Sequence, residues 1–88
     1  MLPQRIRLYA KPGCHLCEQA EELLEDLGRE HPLSVQAIDI TSDPILFERY
    51  RYEIPVVVLE DGRSVFGRIA MSDLRTLLGD PASEPRSI

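Results

Sequence analysis

Both cysteines of this 88-residue chain lie in one short segment, Cys14-His15-Leu16-Cys17, which places two thiols three positions apart. A thiol pair with this spacing can form a disulfide and be reduced again, or can contribute to a metal site. A hydrophobic stretch precedes the pair and a strongly helical run follows it. We therefore expect Cys14 at a helix N-terminus, where unpaired backbone N–H groups and the helix dipole favour a thiolate.

The two thiols are expected to differ in exposure and acidity. Cys17 shares a helical face with Ala20 and Leu24 and should be buried, whereas Cys14 should have a pKa below the ~8.5 of free cysteine. Lys11 is expected to add positive charge that favours the thiolate. His15 either does the same when protonated or is a solvated polar residue. We predict that Cys14 attacks a substrate disulfide and that Cys17 resolves the mixed disulfide.

A structural disulfide is the weaker interpretation of this pair. Side chains three apart on a helix have Cβ atoms roughly 5–6 Å apart, whereas a relaxed disulfide needs about 3.5–4.5 Å. The turn signal Pro12-Gly13 lets the backbone bend at the helix edge, so that a bridge can form. A bridge near its geometric limit is easily reduced, which suits exchange better than stabilisation.

Length and charge limit the other function classes. We expect one domain over residues 1–79, followed by a flexible C-terminal tail at 80–88. The formal net charge of −5 argues against a nucleic-acid or anionic-membrane partner. Neither a signal-peptide apolar region nor a run of ~20 apolar residues is present. The expectation is a cytoplasmic monomer without a bound cofactor, unless glutathione serves as co-substrate.

Hydrophobic patterns and turn residues predict strand, helix, strand, helix, strand, strand and helix. The strands are predicted at 6–10, 33–40, 54–59 and 63–66. The helices are predicted to start at Cys14, at Asp43-Pro44 and at Ser72 or Met71-Ser72. The first two strands should be parallel because a helix connects them. Gly28 should end the first helix in a left-handed cap, and Asp61-Gly62 predicts a two-residue hairpin. Val35, Ile38 and Ile40 are expected to face the core.

This arrangement resembles a thioredoxin-fold protein of the glutaredoxin type, and is most similar to small bacterial glutaredoxin-like proteins with a Cys-His-Leu-Cys centre. The resemblance covers about residues 5–79. It depends on Leu8-Tyr9 ahead of the cysteine segment, on Ile54-Pro55, and on Gly67 after the hairpin. It implies an α/β fold with a four-stranded mixed sheet and three helices on its two faces.

The resemblance also implies a substrate-binding surface beside the cysteines. In this fold a cis proline lies there, and the residue before it offers its backbone to a peptide or glutathione; these positions correspond to Pro55 and Ile54. Lys11 matches a lysine that binds a glutathione carboxylate, and Gly67 and Arg68 stand where relatives carry further glutathione contacts. His15-Leu16 replaces the usual Pro-Tyr, so the substrate stays open between glutathione and protein disulfides.

Three other interpretations remain beside a thiol–disulfide oxidoreductase restored by an upstream reductase. Zinc within one chain is disfavoured, because His15 and His31 lack the spacing of a second ligand pair. An iron–sulfur cluster shared between two chains would have enough ligands, as in some glutaredoxin relatives. The third is a thioredoxin-fold interaction module without catalytic activity.

Overall fold

A four-stranded mixed sheet with strand order β2-β1-β3-β4 forms the centre of the molecule. The structure, a computed structural model, describes residues 3–79; the predicted tail at 80–88 lies outside the described residues. β1 pairs in parallel with β2 and antiparallel with β3, and β4 pairs antiparallel with β3. The elements are β1 (Gln4–Ala10), α1 (His15–Gly28), β2 (Leu33–Asp39), α2 (Pro44–Tyr50), β3 (Val56–Leu59), β4 (Ser64–Phe66) and α3 (Met71–Leu77).

The helices cover both faces of this sheet, as expected, and each face has its own apolar cluster. Alternate residues of β1 face opposite ways, since successive strand side chains point to opposite faces. Leu8 enters the larger cluster with residues of α1 and α3, among them Leu24, Leu27 and Leu74. Tyr9 enters the smaller cluster, where α2 packs. Within residues 3–79, no helix is both long and apolar enough to cross a bilayer.

The two ends of α1 are formed differently. Cys14 is the N-cap residue, and the preceding Gly13 has a φ of +76°, a left-handed conformation that glycine adopts without steric cost. At the other end the predicted left-handed cap at Gly28 is wrong. Gly28 is the last helical residue, and Arg29 follows it in right-handed conformation with its N–H directed to Asp26 O and Leu27 O. The chain therefore leaves this helix by continuing its right-handed turn.

β2 is an edge strand, and this overturns one predicted core contact. Ile40, just after the strand, is fully buried and Ile38 is half-buried, but Val35 is 42% exposed. Among the described strands only β1 pairs with β2. β2 therefore lies at the edge of the sheet, where the core covers its apolar side chains only partly. The alternation of side chains along β2 predicts which face of the sheet Val35 lies on. The exposed fraction of Val35 depends instead on the order of the strands in the sheet.

Local turn chemistry fixes the second half of the fold. Asp43 caps α2 through Oδ1, which accepts the N–H of Ile45 at 2.8 Å, and Pro44 occupies the first helical turn. The hairpin at Asp61-Gly62 forms, but its connection spans residues 60–63 and is longer than the predicted two-residue loop. Asp61 supports this longer turn by accepting the N–H of Arg63 at 3.0 Å.

Candidate functional site

The two cysteines meet at the start of α1. The structure joins Cys14 and Cys17 by a disulfide, with their Cα atoms 5.2 Å apart. Cys14 has extended backbone angles as the N-cap residue, and its Sγ accepts the N–H of Cys17 at 3.2 Å. The sulfur of Cys14 therefore occupies the position in which a capping side chain meets the positive end of the helix dipole. This is where a developing thiolate is stabilised.

Burial separates the two sulfurs. Cys17 is 2% exposed and packs in the larger cluster with Ala20 and Leu24. Cys14 is half-buried and packs at the margin of that cluster. The burial of Cys17 agrees with its expected helical face. A substrate disulfide can therefore approach Cys14 more readily than Cys17.

A cavity of about 290 Å³ borders Cys17 and was not predicted from the sequence. It lies between the turn after β1, the first turns of α1 and the end of β2. Lys11 lines it, together with the carboxylate residues Glu18, Glu21 and Asp39. The spacing of Cys17 and Glu21, i and i+4 on one helix, places them on the same face. The contribution of Asp39 comes from the pairing of β1 and β2, which no local pattern reveals.

Asp39 brings a stable negative charge to this cavity. Its Oδ1 accepts the Thr41 hydroxyl at 2.6 Å and the Thr41 N–H at 2.8 Å. These hydrogen bonds, the one from the hydroxyl first, hold the pKa of Asp39 below its ordinary value of 3.8. The carboxylate is therefore charged at neutral pH.

The predicted substrate-binding residues are joined by backbone hydrogen bonds. The Ile54–Pro55 peptide bond is cis, Pro55 is buried and Ile54 is half-buried. The N–H of Gly67 is directed to Pro55 O at 2.9 Å and to Glu53 O at 3.1 Å. Gly67 has a φ of +78°, and the exposed Arg68 follows it. The structure therefore brings Gly67 and Arg68 to the Ile54-Pro55 loop, although they are distant in sequence.

Cys14 and Ile54 both pack against the larger apolar cluster, which connects this loop with the redox pair. Lys11 and His15 are both exposed beside Cys14 in sequence. The roles proposed for these side chains in binding and in tuning Cys14 stay predictions.

Arg51, the residue that follows α2, packs on aromatic rings next to the same loop. The guanidinium carbon of Arg51 lies 5.0 Å from the Phe47 ring centroid and 4.7 Å from that of Tyr52. Tyr50 stacks on Tyr9 with centroids 4.4 Å apart. The Tyr9–Tyr50 stack holds the end of α2 against the sheet, and the Arg51 contacts order the segment between α2 and Ile54.

The cysteine pair is not part of a larger metal-ligand group in the described residues. Between residues 3 and 79, no three His, Cys, Asp or Glu side chains cluster in a way that would hold a metal ion.

Solved structures with similar folds include proteins of related sequence. The X-ray structure of protein XcR50 from X. campestris has a TM-score of 0.75 and 30% identity, covering 84% of this chain and 95% of its own. A variant of the thioredoxin-like protein BC3987 has a TM-score of 0.63 and 28% identity, over 83% of this chain and 97% of its own. Protein Ne2328 from Nitrosomonas europaea, at 24% identity and a TM-score of 0.71, covers 90% and 91% and shows the fold alone.

The family described as Glutaredoxin-like domain (DUF836) matches residues 5–79. This range contains all the described strands and helices except the first residue of β1, and it includes the cysteine segment and Gly67. The expected glutaredoxin-like thioredoxin fold is thereby confirmed. The chain belongs to the glutaredoxin-like domain family.

Proposed function

We propose that this protein is a thiol–disulfide oxidoreductase that reduces disulfides with the Cys14–Cys17 pair. The observation that carries the proposal is the asymmetry of the pair. Cys14 is half-buried at the N-cap of α1 and its sulfur accepts a backbone N–H, whereas Cys17 is 2% exposed one turn further along. Exchange requires one accessible thiolate and a second thiol in reach, and this geometry supports both requirements.

In the reduced protein, the thiolate of Cys14 attacks one sulfur of a substrate disulfide. A sulfur–sulfur bond forms between Cys14 and the substrate, and the other substrate sulfur leaves as a thiolate that takes a proton from water. Cys17 then loses its proton and attacks the sulfur of Cys14. This releases the second substrate thiolate and forms the Cys14–Cys17 disulfide. Two electrons pass from the protein to the substrate, so an external dithiol or glutathione must reduce the pair again.

The substrate class that we propose is an extended peptide or glutathione carried on a mixed disulfide. The N–H of Ile54 is already donated to Tyr50 O at 3.1 Å, whereas no backbone N–H of the described turns and loops donates to the Ile54 carbonyl group. That carbonyl is the backbone group that would meet the substrate N–H. Lys11 and Arg68 are exposed near the two sides of the site, where they would meet substrate carboxylates. A cytoplasmic reductase is the proposed source of electrons.

Insulin reduction and deglutathionylation of a peptide test this function directly. Each assay is run with thioredoxin reductase and then with glutathione plus glutathione reductase as the electron source. The wild-type protein should accelerate at least one of these four combinations, and Cys14→Ser should return the rate to background. No acceleration in any combination, with the pair shown to be fully reduced at the start, would contradict an oxidoreductase.

A further inference from the structure

The open edge of β2 is a surface that the proposed redox activity does not use. Among the described strands, β2 is paired on one side only, and it is seven residues long. Natural sheets protect such edges with charges, prolines, bulges or short strands. From Leu33 to Ile38 this strand, Leu-Ser-Val-Gln-Ala-Ile, has no charge and no proline. Pro32 and Asp39 flank this stretch, so the middle of the backbone edge lacks the usual protection against pairing with another strand.

The register shows which backbone groups are open. The N–H of Gln4 donates to Pro32 O at 3.0 Å, while Gln4 lies beside Leu33 in the parallel ladder. In a parallel ladder, a hydrogen-bonded residue of one strand pairs with the residues just before and just after the one opposite it. On β2, the backbone groups of Ser34, Gln36 and Ile38 are therefore directed to β1. The N–H and C=O groups of the alternate residues point away from the sheet. These residues are Leu33, Val35 and Ala37.

The same three residues line an apolar groove. A cavity of about 670 Å³ runs between α1 and β2, and its apolar walls come from these β2 residues together with Leu8 and Leu24. Val35 is 42% exposed and is one of the large hydrophobic side chains left on the surface. A strand added beside β2 would cover the Val35 side chain and would also form hydrogen bonds with the outward-facing N–H and C=O groups.

We propose that this strand is β2 of a second copy, paired antiparallel about a two-fold axis at Val35. In this register Val35 lies opposite Val35 of the other copy, and Leu33 lies opposite Ala37. All three outward-facing residues then exchange backbone hydrogen bonds with an apolar residue. β-branched and apolar cross-strand pairs of this kind stabilise antiparallel sheets. The two sheets become one continuous sheet of eight strands, in place of the monomer expected from the sequence.

Of the three charged side chains that line the groove, Glu21 and Arg29 are complementary under this symmetry, whereas Glu25, between them on α1, comes opposite its own counterpart. α1 connects two parallel strands and so runs antiparallel to β2. Glu21 lies at the Ala37 end of the groove and Arg29 lies at the Leu33 end. The two-fold axis therefore brings Arg29 of one copy towards Glu21 of the other. The pairing of Arg29 with Asp26 at 3.3 Å does not prevent this, because their side chains are 80% and 57% exposed.

This dimer leaves both redox pairs accessible. Ala10, at the end of β1, is paired with Asp39, at the end of β2, and Cys14 follows shortly after Ala10. Because the two copies run antiparallel, the two Cys14–Cys17 pairs lie at opposite ends of the continuous sheet. Association should therefore not block disulfide exchange, and variants that prevent association should keep their activity.

Sedimentation equilibrium of the reduced protein tests the proposal over concentrations up to about 1 mM. The wild type should shift from one to two chain masses as concentration rises. Val35→Lys places two ammonium groups opposite each other on the axis and should weaken association at least about tenfold. Gln36→Lys adds the same charge one residue away, on the other face and opposite Ser34, and should change association less than about threefold.

Val35→Pro is a second variant with an independent mechanism. It removes one outward N–H, and proline is tolerated on an edge strand when its N–H side faces solvent. It should also yield a monomer, with unchanged circular dichroism and unchanged insulin reduction. A wild type that remains monomeric throughout, that forms species larger than two chains, or whose association is equally affected by Val35→Lys and Gln36→Lys would overturn the proposal.

Discussion

Cys14 and Cys17 are one helical turn apart, but their surroundings have opposite character. Cys14 follows a left-handed turn, is half-buried, and has a sulfur that accepts a backbone N–H. Cys17 lies inside α1, is 2% exposed, and packs with Ala20 and Leu24. The comparison shows how one short motif obtains two different thiols: the helix start supplies access and positive potential, and the apolar stripe supplies burial.

Replacing each cysteine by serine should have the largest effect on activity, with a different result for each thiol. Cys14→Ser should abolish insulin reduction, because the remaining thiol is too buried to meet a substrate. Cys17→Ser should complete the first attack and then stall as a mixed disulfide, which intact-mass spectrometry would detect. With glutathione present, this second variant should still reduce glutathionylated substrates by a one-thiol route. Equal residual activity in the two variants would remove the assignment of roles.

Truncating Leu24, which packs with Cys17 in the larger apolar cluster, tests the burial of this helical face. Leu24 is 3% exposed in the core, and Leu24→Ala should lower the free energy of unfolding by about 2–5 kcal/mol. Leu23→Ala is the matched control, because Leu23 is adjacent and only partly buried. Urea unfolding of the reduced variants measures both values. If Leu23→Ala lowered the free energy of unfolding as much as Leu24→Ala does, the assigned buried face of α1 would be wrong.

The same substitution at two glycines should have opposite effects on stability. An added Cβ meets no atom within 4 Å at either Gly13 or Gly28, so backbone conformation alone decides the result. Gly13→Ala should destabilise by about 1–2 kcal/mol, because φ is +76° there. Gly28→Ala should stabilise by up to about 1 kcal/mol, because Gly28 is helical. Thermal unfolding of both variants measures this contrast, and shifts of the same sign would contradict it.

Lys11 should have a weaker effect, on the binding of glutathionylated substrates. Lys11→Ala should raise the KM for a glutathionylated peptide by about two- to fivefold, as expected when one exposed charge contact is lost, and should leave insulin turnover with thioredoxin reductase unchanged. Lys11→Arg, which keeps the charge, should restore most of the affinity. An equal loss in both assays would instead show that Lys11 acts on the thiolate of Cys14.

The smallest expected effect is acid-dependent stability from Asp39, on the Cys17 side of the site. Its folded-state pKa lies below the ordinary 3.8, so its stabilising contribution is present above pH 3.8 and is lost as pH falls through the folded value. Asp39→Asn should make stability less dependent on pH in this acidic range. Thr41→Val should also make stability less dependent on pH, since it removes the hydroxyl that donates to Asp39 Oδ1 at 2.6 Å. An unchanged pH profile in both variants would contradict this contribution.

Much of the fold follows from local sequence signals. The apolar period of α1 and the Asp43-Pro44 start of α2 act within a few residues, and the structure reproduces both. The exposure of Val35 was not predictable in this way, because it depends on which strands pair with β2. Gly28 was assigned a cap from its type alone, but a helix can also end in right-handed conformation.

Some features of the candidate site likewise follow from the local sequence, and others require the tertiary structure. The spacing of Cys14 and Cys17 indicates a redox pair from the sequence alone, and the helical face gives the burial of Cys17. The cavity beside Cys17 combines Lys11, Glu21 and Asp39 from three elements, so only the pairing of β1 with β2 reveals it. The hydrogen bonds from Gly67 to the Ile54-Pro55 loop likewise require the tertiary structure.

The rate of alkylation as a function of pH measures the difference between the two thiols directly. Reduced Cys17→Ser and Cys14→Ser each contain a single thiol, and iodoacetamide reacts with its thiolate. We expect fast alkylation of Cys14 with an apparent pKa below the ~8.5 of free cysteine, and slow alkylation of Cys17 with an apparent pKa above it. Faster alkylation at Cys17 near neutral pH, or substrate adducts found on Cys17, would show that Cys14 is not the attacking thiol.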